Sequence, residues 1–585
     1  MLTIMKRISK IYKKFIIVCA VLCGTVMSSC TDYLTIIPPG IITEENYWQT
    51  KDDVNGLMAK AYLDLLSSDA VQKAIIWGEL RADNMTYPAN YSKDIKYIVE
   101  ANILDENGYT NWAVYYKAIQ TANLVIERAP QVVEHDPDFT EGDLQVVMGE
   151  MYALRALAHF YLVRTFRDIP MALKAVSNDG DMPQYSQVHP IEALNLIMAD
   201  LDKAQGMVMK SGNFATPSHN FGRITENAVL AMKADVNLWR AAFATYYEGQ
   251  TDLVAAGDVQ KYYDLCVQNC QDVLDRMSAK YEESIKDKNN VDRFPYDLLQ
   301  NEGELEDRTD EHLSTVYEEI FGSKNSRESI FELQVERSNV TSGWAKGVAN
   351  MYGTDGNHGA VVVPSSFLSK NYEKDDLRAY SFTNAKSLSG NSNTQGSGGS
   401  SNEVKDIIIA KYSAKSSAAS DFRKADDYDA NWIIYRKTDV MLMMAEAMVA
   451  RPSADVEDFA AAFEIVRVIN TRSRMDSTNI SKPLNERNYQ TRDAIRKLVL
   501  DERLRELTYE GKRWYDLVRK ALCEKTTNDI KFVADKLDSN SGVVKSKMST
   551  IDGLFMPIYI DELRYNKLLK QNPAYKDEDE KTEMN

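Results

Sequence analysis

The sequence predicts a mainly α-helical exported protein in which paired helices support a loop-rich region with short β-strands. Three observations lead there. Apolar residues recur at helical spacing through both ends of the chain, the pattern breaks across residues 281–430, and residues 1–29 have the make-up of a secretory signal. These divide the chain into a signal (1–29), an N-terminal helical region (30–280), a variable middle region expected to hold the ligand (281–430) and a C-terminal helical region (431–585). Residues 30–585 are expected to fold as one compact unit.

The leader carries Lys6, Arg7, Lys10, Lys13 and Lys14 with no acid, then the apolar run Phe15 to Met27, then Ser28-Ser29-Cys30. That run, at 13 residues, is shorter than a membrane span. A cysteine straight after two small residues points to a lipoprotein signal, with Cys30 acylated as the new N-terminus; the alternative is an ordinary signal with a chance cysteine. Losing residues 1–29 removes five positive charges and moves the formal net charge from −17 to −22. So acidic a surface, with no basic stripe, excludes nucleic acid as an expected partner. Cys266, Cys270 and Cys523 remain, an odd number for an oxidising compartment. Cys266 and Cys270 share one helix face and read as half-buried thiols rather than metal ligands.

After the extended lead-in 31–43, helical patterns cover 111–128 and 143–167, the second apolar on nearly every face and ended by Asp168-Ile169-Pro170. Further helices are predicted over 190–208, 225–247, 259–279, 434–450, 456–474, 490–510 and 561–570. Several are joined by short connections, as in helix hairpins stacked into an irregular solenoid without a fixed period. Strand-like pieces appear at Ser329–Val335, Ala360–Val363 and Ile407–Tyr412, and Ser387–Asn402 is a low-complexity linker.

Residues 501–519 read DERLRELTYEGKRWYDLVR. Glu502, Glu506 and Glu510 recur every four residues beside Arg503, Arg505 and Arg513, which favours interlocked ion pairs fixing a helix hairpin over a pair of catalytic carboxylates. At this point the chain resembles the SusD/RagB-like family of outer-membrane nutrient-binding lipoproteins. Residues 436–447 (RKTDVMLMMAEA) resemble its RYADVLLMYAEA segment, departing at Lys437, Thr438, Met441 and Met444. Residues 470–474 (NTRSR) resemble its INxVRxRAG segment, and 556–575 (MPIYIDELRYNKLLKQNPAY) its terminal segment. Asp32-Tyr33-Leu34 and the stretch 78–84 (GELRADN) resemble its lead-in and first loop.

The resemblance implies four helix pairs similar to tetratricopeptide repeats and no catalytic activity. It also implies a SusC-like TonB-dependent transporter as partner, to which a glycan is delivered at the outer membrane from a protein anchored through Cys30 and exposed at the cell surface. Two other classes stay open: a peptide-binding or adhesive lipoprotein on the same frame, and a glycoside hydrolase.

A neutral glycan needs aromatic platforms beside amide, carboxylate or guanidinium groups. Two windows offer them. Trp77–Tyr91 contains Arg81, Asp83, Asn84, Tyr87 and Tyr91, with an Arg81–Asp83 ion pair as the structural alternative. Gly343–Gly359 contains Trp344, Tyr352 and Asn357, with Trp344 and Tyr352 expected to be exposed. His358 belongs first to a turn, while Trp77, Trp112, Tyr115, Tyr116 and Trp514 read as core. No cofactor is expected. Ca²⁺ is left open, because Asn178–Asp181 and Asp355–Asn357 supply oxygens without completing a calcium-loop pattern.

Overall fold

The computed structural model describes residues 47–176, 183–284, 295–301, 314–354, 357–383, 406–413, 423–475, 480–536 and 542–576. Contacts divide the chain after Gln49, and the described residues from Thr50 onward form one compact unit. Cys30, the segment Asn178–Asp181, the turn Asp355-Gly356 and the linker Ser387–Asn402 lie outside the described residues.

Helix α1 (Lys51–Leu66) opens on a reciprocal cap: the Thr50 hydroxyl accepts from the Asp53 N–H, and the Asp53 carboxylate accepts from the Thr50 N–H at 2.8 Å. Sequence periodicity did not predict it, because its buried face carries Asp64, which is 2% exposed and satisfied by Lys60 and Thr121. Helix α2 (Ser68–Ile75) follows and runs into a π-turn, Ile76–Leu80. The frame continues through α3 (Ala113–Val132), α4 (Glu141–Phe166), α5 (Pro190–Gln205), α6 (Glu226–Tyr247) and α7 (Asp258–Ser284). It resumes after the middle region with α8 (Lys437–Ala450), α9 (Val456–Arg472), α10 (Arg492–Leu507) and α11 (Arg513–Glu524).

Packing runs as an unbroken series from α1 to α3, α4, α5, α6, α7, α8 and α9, while α10 rests on α8 and α9 and α11 on α6. Helix α4 is long and apolar enough to cross a membrane by composition, yet it is enclosed by α3 and α5. Its Arg155 grips Asp200 of α5 with two hydrogen bonds of 2.7 Å, the bidentate geometry that also fixes register.

β1 (Ser329–Leu333) of the middle region pairs antiparallel with β2 (Trp432–Arg436) at the start of the C-terminal region, and both are fully buried. The helix predicted from residue 434 therefore starts only at Lys437. The aromatic and β-branched run WIIYR suits a strand once β1 lies beside it. The expected strands at 360–363 and 407–412 are reduced to single bridges, Val362 with Thr86, Val363 with Ile407 and Ile409 with Thr383. The predicted helix 561–570 shortens to Ile560–Tyr565, because Asn566 turns its side chain to the Tyr185 carbonyl at 2.8 Å. Cys266 and Cys270 are wholly rather than half buried, on the side of α7 that meets α8.

Candidate functional site

The charged motif near the C-terminus builds the interior. Glu502, Glu506 and Glu510 are all buried, and their main partners come from far along the chain rather than from Arg503 and Arg513. Glu506 accepts from Arg436 and Arg472 at 2.8 Å each, from Arg378 at 3.2 Å and from the Tyr317 hydroxyl at 2.8 Å. Glu502 binds Arg378 at 2.6 Å and Arg505 at 2.7 Å. Glu510 binds Lys411 at 2.6 Å and Arg436 at 2.7 Å. Burial pushes the Glu502 carboxyl up, but Arg378 and Arg505 outweigh it and hold it down at about 2. Burial likewise raises Glu506, and Arg436, Arg472 and Arg378 together hold it well below the usual carboxylate range. Saturated with donors and shut off from solvent, these carboxylates are placed to join the middle region to α10 rather than to move a proton on a substrate.

The first window splits into two parts. Gly78 abuts the Gly511 carbonyl so closely that a Cβ there would collide with it. The buried Glu79 carboxylate accepts the N–H groups of Tyr509 and Gly511, whose φ values of 66° and 70° shape the turn after α10. Burial raises Glu79 to about 7 against the pull of those amides and of Asn84. Arg81, 1% exposed, donates to the carbonyls of Gly553 at 3.3 Å and Leu554 at 2.6 Å and lies 4.2 Å over the Trp514 ring. Asn84 is enclosed and donates to Glu79 and to the Thr508 hydroxyl. Asp83 pairs with Arg513 at 3.0 Å, not with Arg81; burial alone would raise its carboxyl, and Arg513 holds it down. Arg81 and Asn84 thus present no surface to a ligand. Both are shut against a C-terminal turn the sequence could not place beside them, which satisfies all of their polar atoms but Arg81 Nε and Asn84 Oδ1.

Beyond Met85 the window reaches solvent. Tyr87 and Tyr91 meet edge-on at 4.8 Å, and Tyr91 is 43% exposed. The Tyr87 hydroxyl donates to Glu100 at 3.0 Å, and the Lys96 ammonium lies 5.0 Å from the Tyr91 ring centre. Lys96 and Glu100 join the tyrosines here without being among the residues the sequence singles out. Their spacing, four apart on the short helix Lys93–Val99 and its cap, was the available signal.

In the second window Trp344 is exposed as expected, its indole N–H donating to the Leu63 carbonyl at 3.1 Å and its ring 5.8 Å from Lys117. Tyr352 is the opposite of its expectation. It is fully buried, donates to the Tyr509 carbonyl at 2.9 Å and stacks on Tyr412. Asn357 is exposed in a two-residue ladder, Gly353–Thr354 with Asn357–His358. The two windows are fastened to neighbouring parts of the frame. Ser68, at the start of α2, binds the Trp344 carbonyl at 2.8 Å and the Lys346 N–H at 2.8 Å, and Thr86 exchanges backbone hydrogen bonds of 2.9 Å with Val362. Among the described residues no group of three or more His, Cys, Asp or Glu is arranged to hold a metal ion.

Comparison with known proteins covers both ends of this frame. Residues 369–575 match the SusD family, and residues 43–238 match a family described as starch-binding associating with outer membrane. SusD-like protein P38 of Formosa agariphila is 25% identical over 568 residues, covering 94% of this chain and 96% of its own. A SusD homolog from Bacteroides thetaiotaomicron superposes with a TM-score of 0.63 at 17% identity, covering 91% of this chain and 98% of that one. The B. fragilis protein NanU superposes with a TM-score of 0.58 at 17% identity, covering 92% and 100%.

Proposed function

Because the chain belongs to the SusD/RagB-like family, whose members are generally non-catalytic, outer-membrane-associated binding proteins, we propose that it is a cell-surface lipoprotein that binds an oligo- or polysaccharide. In this reading it is anchored through Cys30 and hands its ligand to a SusC-like TonB-dependent transporter. The observation that carries the binding reading is the pair of solvent-facing aromatics, Tyr91 and Trp344, each 43% exposed and each held by loops fastened to the helical frame. Aromatic rings supply broad apolar contact for sugar faces at small entropic cost, and rigid attachment spares the cost of ordering them on binding. Tethering keeps this binder at high local concentration beside its transporter.

The test is a glycan array set against a peptide library, read with wild type and with the Tyr91→Ala/Trp344→Ala double variant. Glycan binding lost in the double variant supports the reading. Preference for peptides overturns it in favour of a peptide receptor, and release of shortened sugars reveals a hydrolase instead. Ca²⁺ addition is expected to leave binding unchanged. The anchor is tested separately: Cys30→Ala is expected to abolish lipid labelling and move the protein out of the membrane fraction, whereas persistent labelling refutes it.

A further inference from the structure

We propose that the cleft between α7, α8, α10 and α11 binds a small aliphatic carboxylate, with Arg496 taking the carboxyl group. The cleft spans about 450 Å³, is partly open to solvent and shares no residue with either loop window. That size falls in the range of roughly 300–1,000 Å³ usual for small-molecule sites. It forms where helix ends part. Helices α8 and α11 end beside it, at Ala450 and Glu524, and α7 and α10 line it from within their first two turns, at Tyr263 and Arg496. Val449, Ala450, Val499 and Leu500 give it an aliphatic floor. Tyr263, its one aromatic lining residue among the described residues, is 3% exposed, so no ring is offered to a sugar face.

The charged and hydroxyl groups of the cleft are paired with one another, Arg496 apart. Glu446 accepts two hydrogen bonds from Arg519, at 2.9 and 2.8 Å. Asp516 accepts from Arg503 at 3.0 Å and from Arg519 at 2.7 Å. The Tyr263 hydroxyl lies 3.3 Å from the Cys523 thiol. Lys520 pairs with Glu524 at 3.3 Å and with Asp529. Arg496 donates no hydrogen bond to any described residue, and its one ion pair, with the same Glu524, is stretched to 4.0 Å. Its side chain is only 26% exposed, so the guanidinium belongs to the cleft wall rather than to open solvent. A guanidinium carries five donors in a planar fork that fits a carboxylate through two parallel hydrogen bonds. Because Arg503 and Arg519 answer the acids of the cleft, and Lys520 answers Glu524, an entering carboxylate meets Arg496 as the cation still without a tight partner. An aliphatic tail then covers the floor and displaces water from it. A neutral chain gains only the second contact, and a cationic chain faces Arg496 as a like charge.

The experiment is calorimetric titration of the full-length protein in detergent with pentanoate, pentanol and pentylammonium, chains of equal length and different charge. Pentanoate is expected to bind saturably with a Kd of about 1 mM or tighter, pentanol about tenfold more weakly and pentylammonium not measurably. Arg496→Gln is expected to weaken pentanoate about tenfold and to leave pentanol unchanged. Arg496→Lys is expected to fall between the two, because it keeps the charge and loses the fork. Both Arg496 variants are expected to melt within about 2 °C of wild type, since no hydrogen bond is lost. Ala450→Phe fills the cleft and is expected to abolish binding of pentanoate and pentanol alike. Equal affinity for pentanoate and pentanol, or pentanoate binding untouched by Arg496→Gln, overturns the assignment of the carboxyl group to Arg496. Binding untouched by Ala450→Phe overturns its placement in the cleft. No saturable binding of pentanoate up to about 10 mM overturns the site itself.

Discussion

Gly78–Asn84 and Tyr87–Tyr91 are separated by two residues and have opposite fates. The first stretch is dense in charge and looks ready to bind, yet Glu79, Arg81 and Asn84 are all inside the molecule. The second reads YPANY, with no charged residue, and it reaches solvent at Tyr91. The difference lies in what each faces. Glu79, Arg81, Asp83 and Asn84 meet backbone and side-chain groups of residues 508–513 and 553–554 that take up most of their polar atoms. Tyr87 and Tyr91 meet one another, Lys96 and Glu100, and Tyr91 is exposed. Density of polar groups in a motif therefore says little about exposure when a second motif of opposite pattern exists elsewhere in the chain.

The sharpest way to break this contrast is to remove a buried charge. Glu506→Gln strips the main acceptor from Arg436 and Arg472 and is expected to cost about 3–5 kcal/mol, since it leaves buried cations uncompensated. Denaturant unfolding measures it, and a loss below about 1 kcal/mol would show the cluster to be dispensable. Gly78→Ala is expected next, at about 1–3 kcal/mol, because the added methyl must displace the Gly511 carbonyl.

Acid offers a third handle. The Glu502 carboxyl sits at about 2 in the folded protein against 4.5 when unperturbed, so it adds stability that is fully present above pH 4.5. That stability is expected to drain away as pH falls from 4.5 towards 2, and Glu502→Gln should flatten this limb of the pH–stability profile. A limb unchanged in the variant removes Glu502 from the account.

The smallest stability effects belong to the exposed windows. Trp344→Ala forfeits one hydrogen bond to Leu63 and is expected to cost roughly 1 kcal/mol of folding while weakening saccharide binding by at least as much. Asn357→Ala is expected to stay within about 0.5 kcal/mol of wild type in stability. A thermal melt that falls as far for Trp344→Ala as for Glu506→Gln would erase the distinction between the two regions.

Much of the frame was legible in the chain. Helices α3, α5 to α7, α9 and α10 follow apolar stripes at 3.6-residue spacing, which buries one face whatever the neighbour is, and α4 is legible from apolar character on nearly every face. Helix α1 is hidden in the pattern because Asp64 interrupts its stripe, although Thr50 and Asp53 spell its cap. Strand β2 merges in the sequence pattern with the helix after it, since a short apolar run has no period of its own. Of the candidate site, Trp344 stands exposed as read, whereas Tyr352, Arg81 and Asn84 went inside. Their partners lie as much as 473 residues away, at Leu554 for Arg81, a separation no local pattern encodes.

The helical frame, the break across the middle region and the set of family segments are written in the chain, because periodicity and order along it are local properties. Folding selects which polar residues pair with one another and which aromatics face solvent. Burying a charge demands a partner at hydrogen-bond distance, and distance between remote residues exists only once the chain has folded.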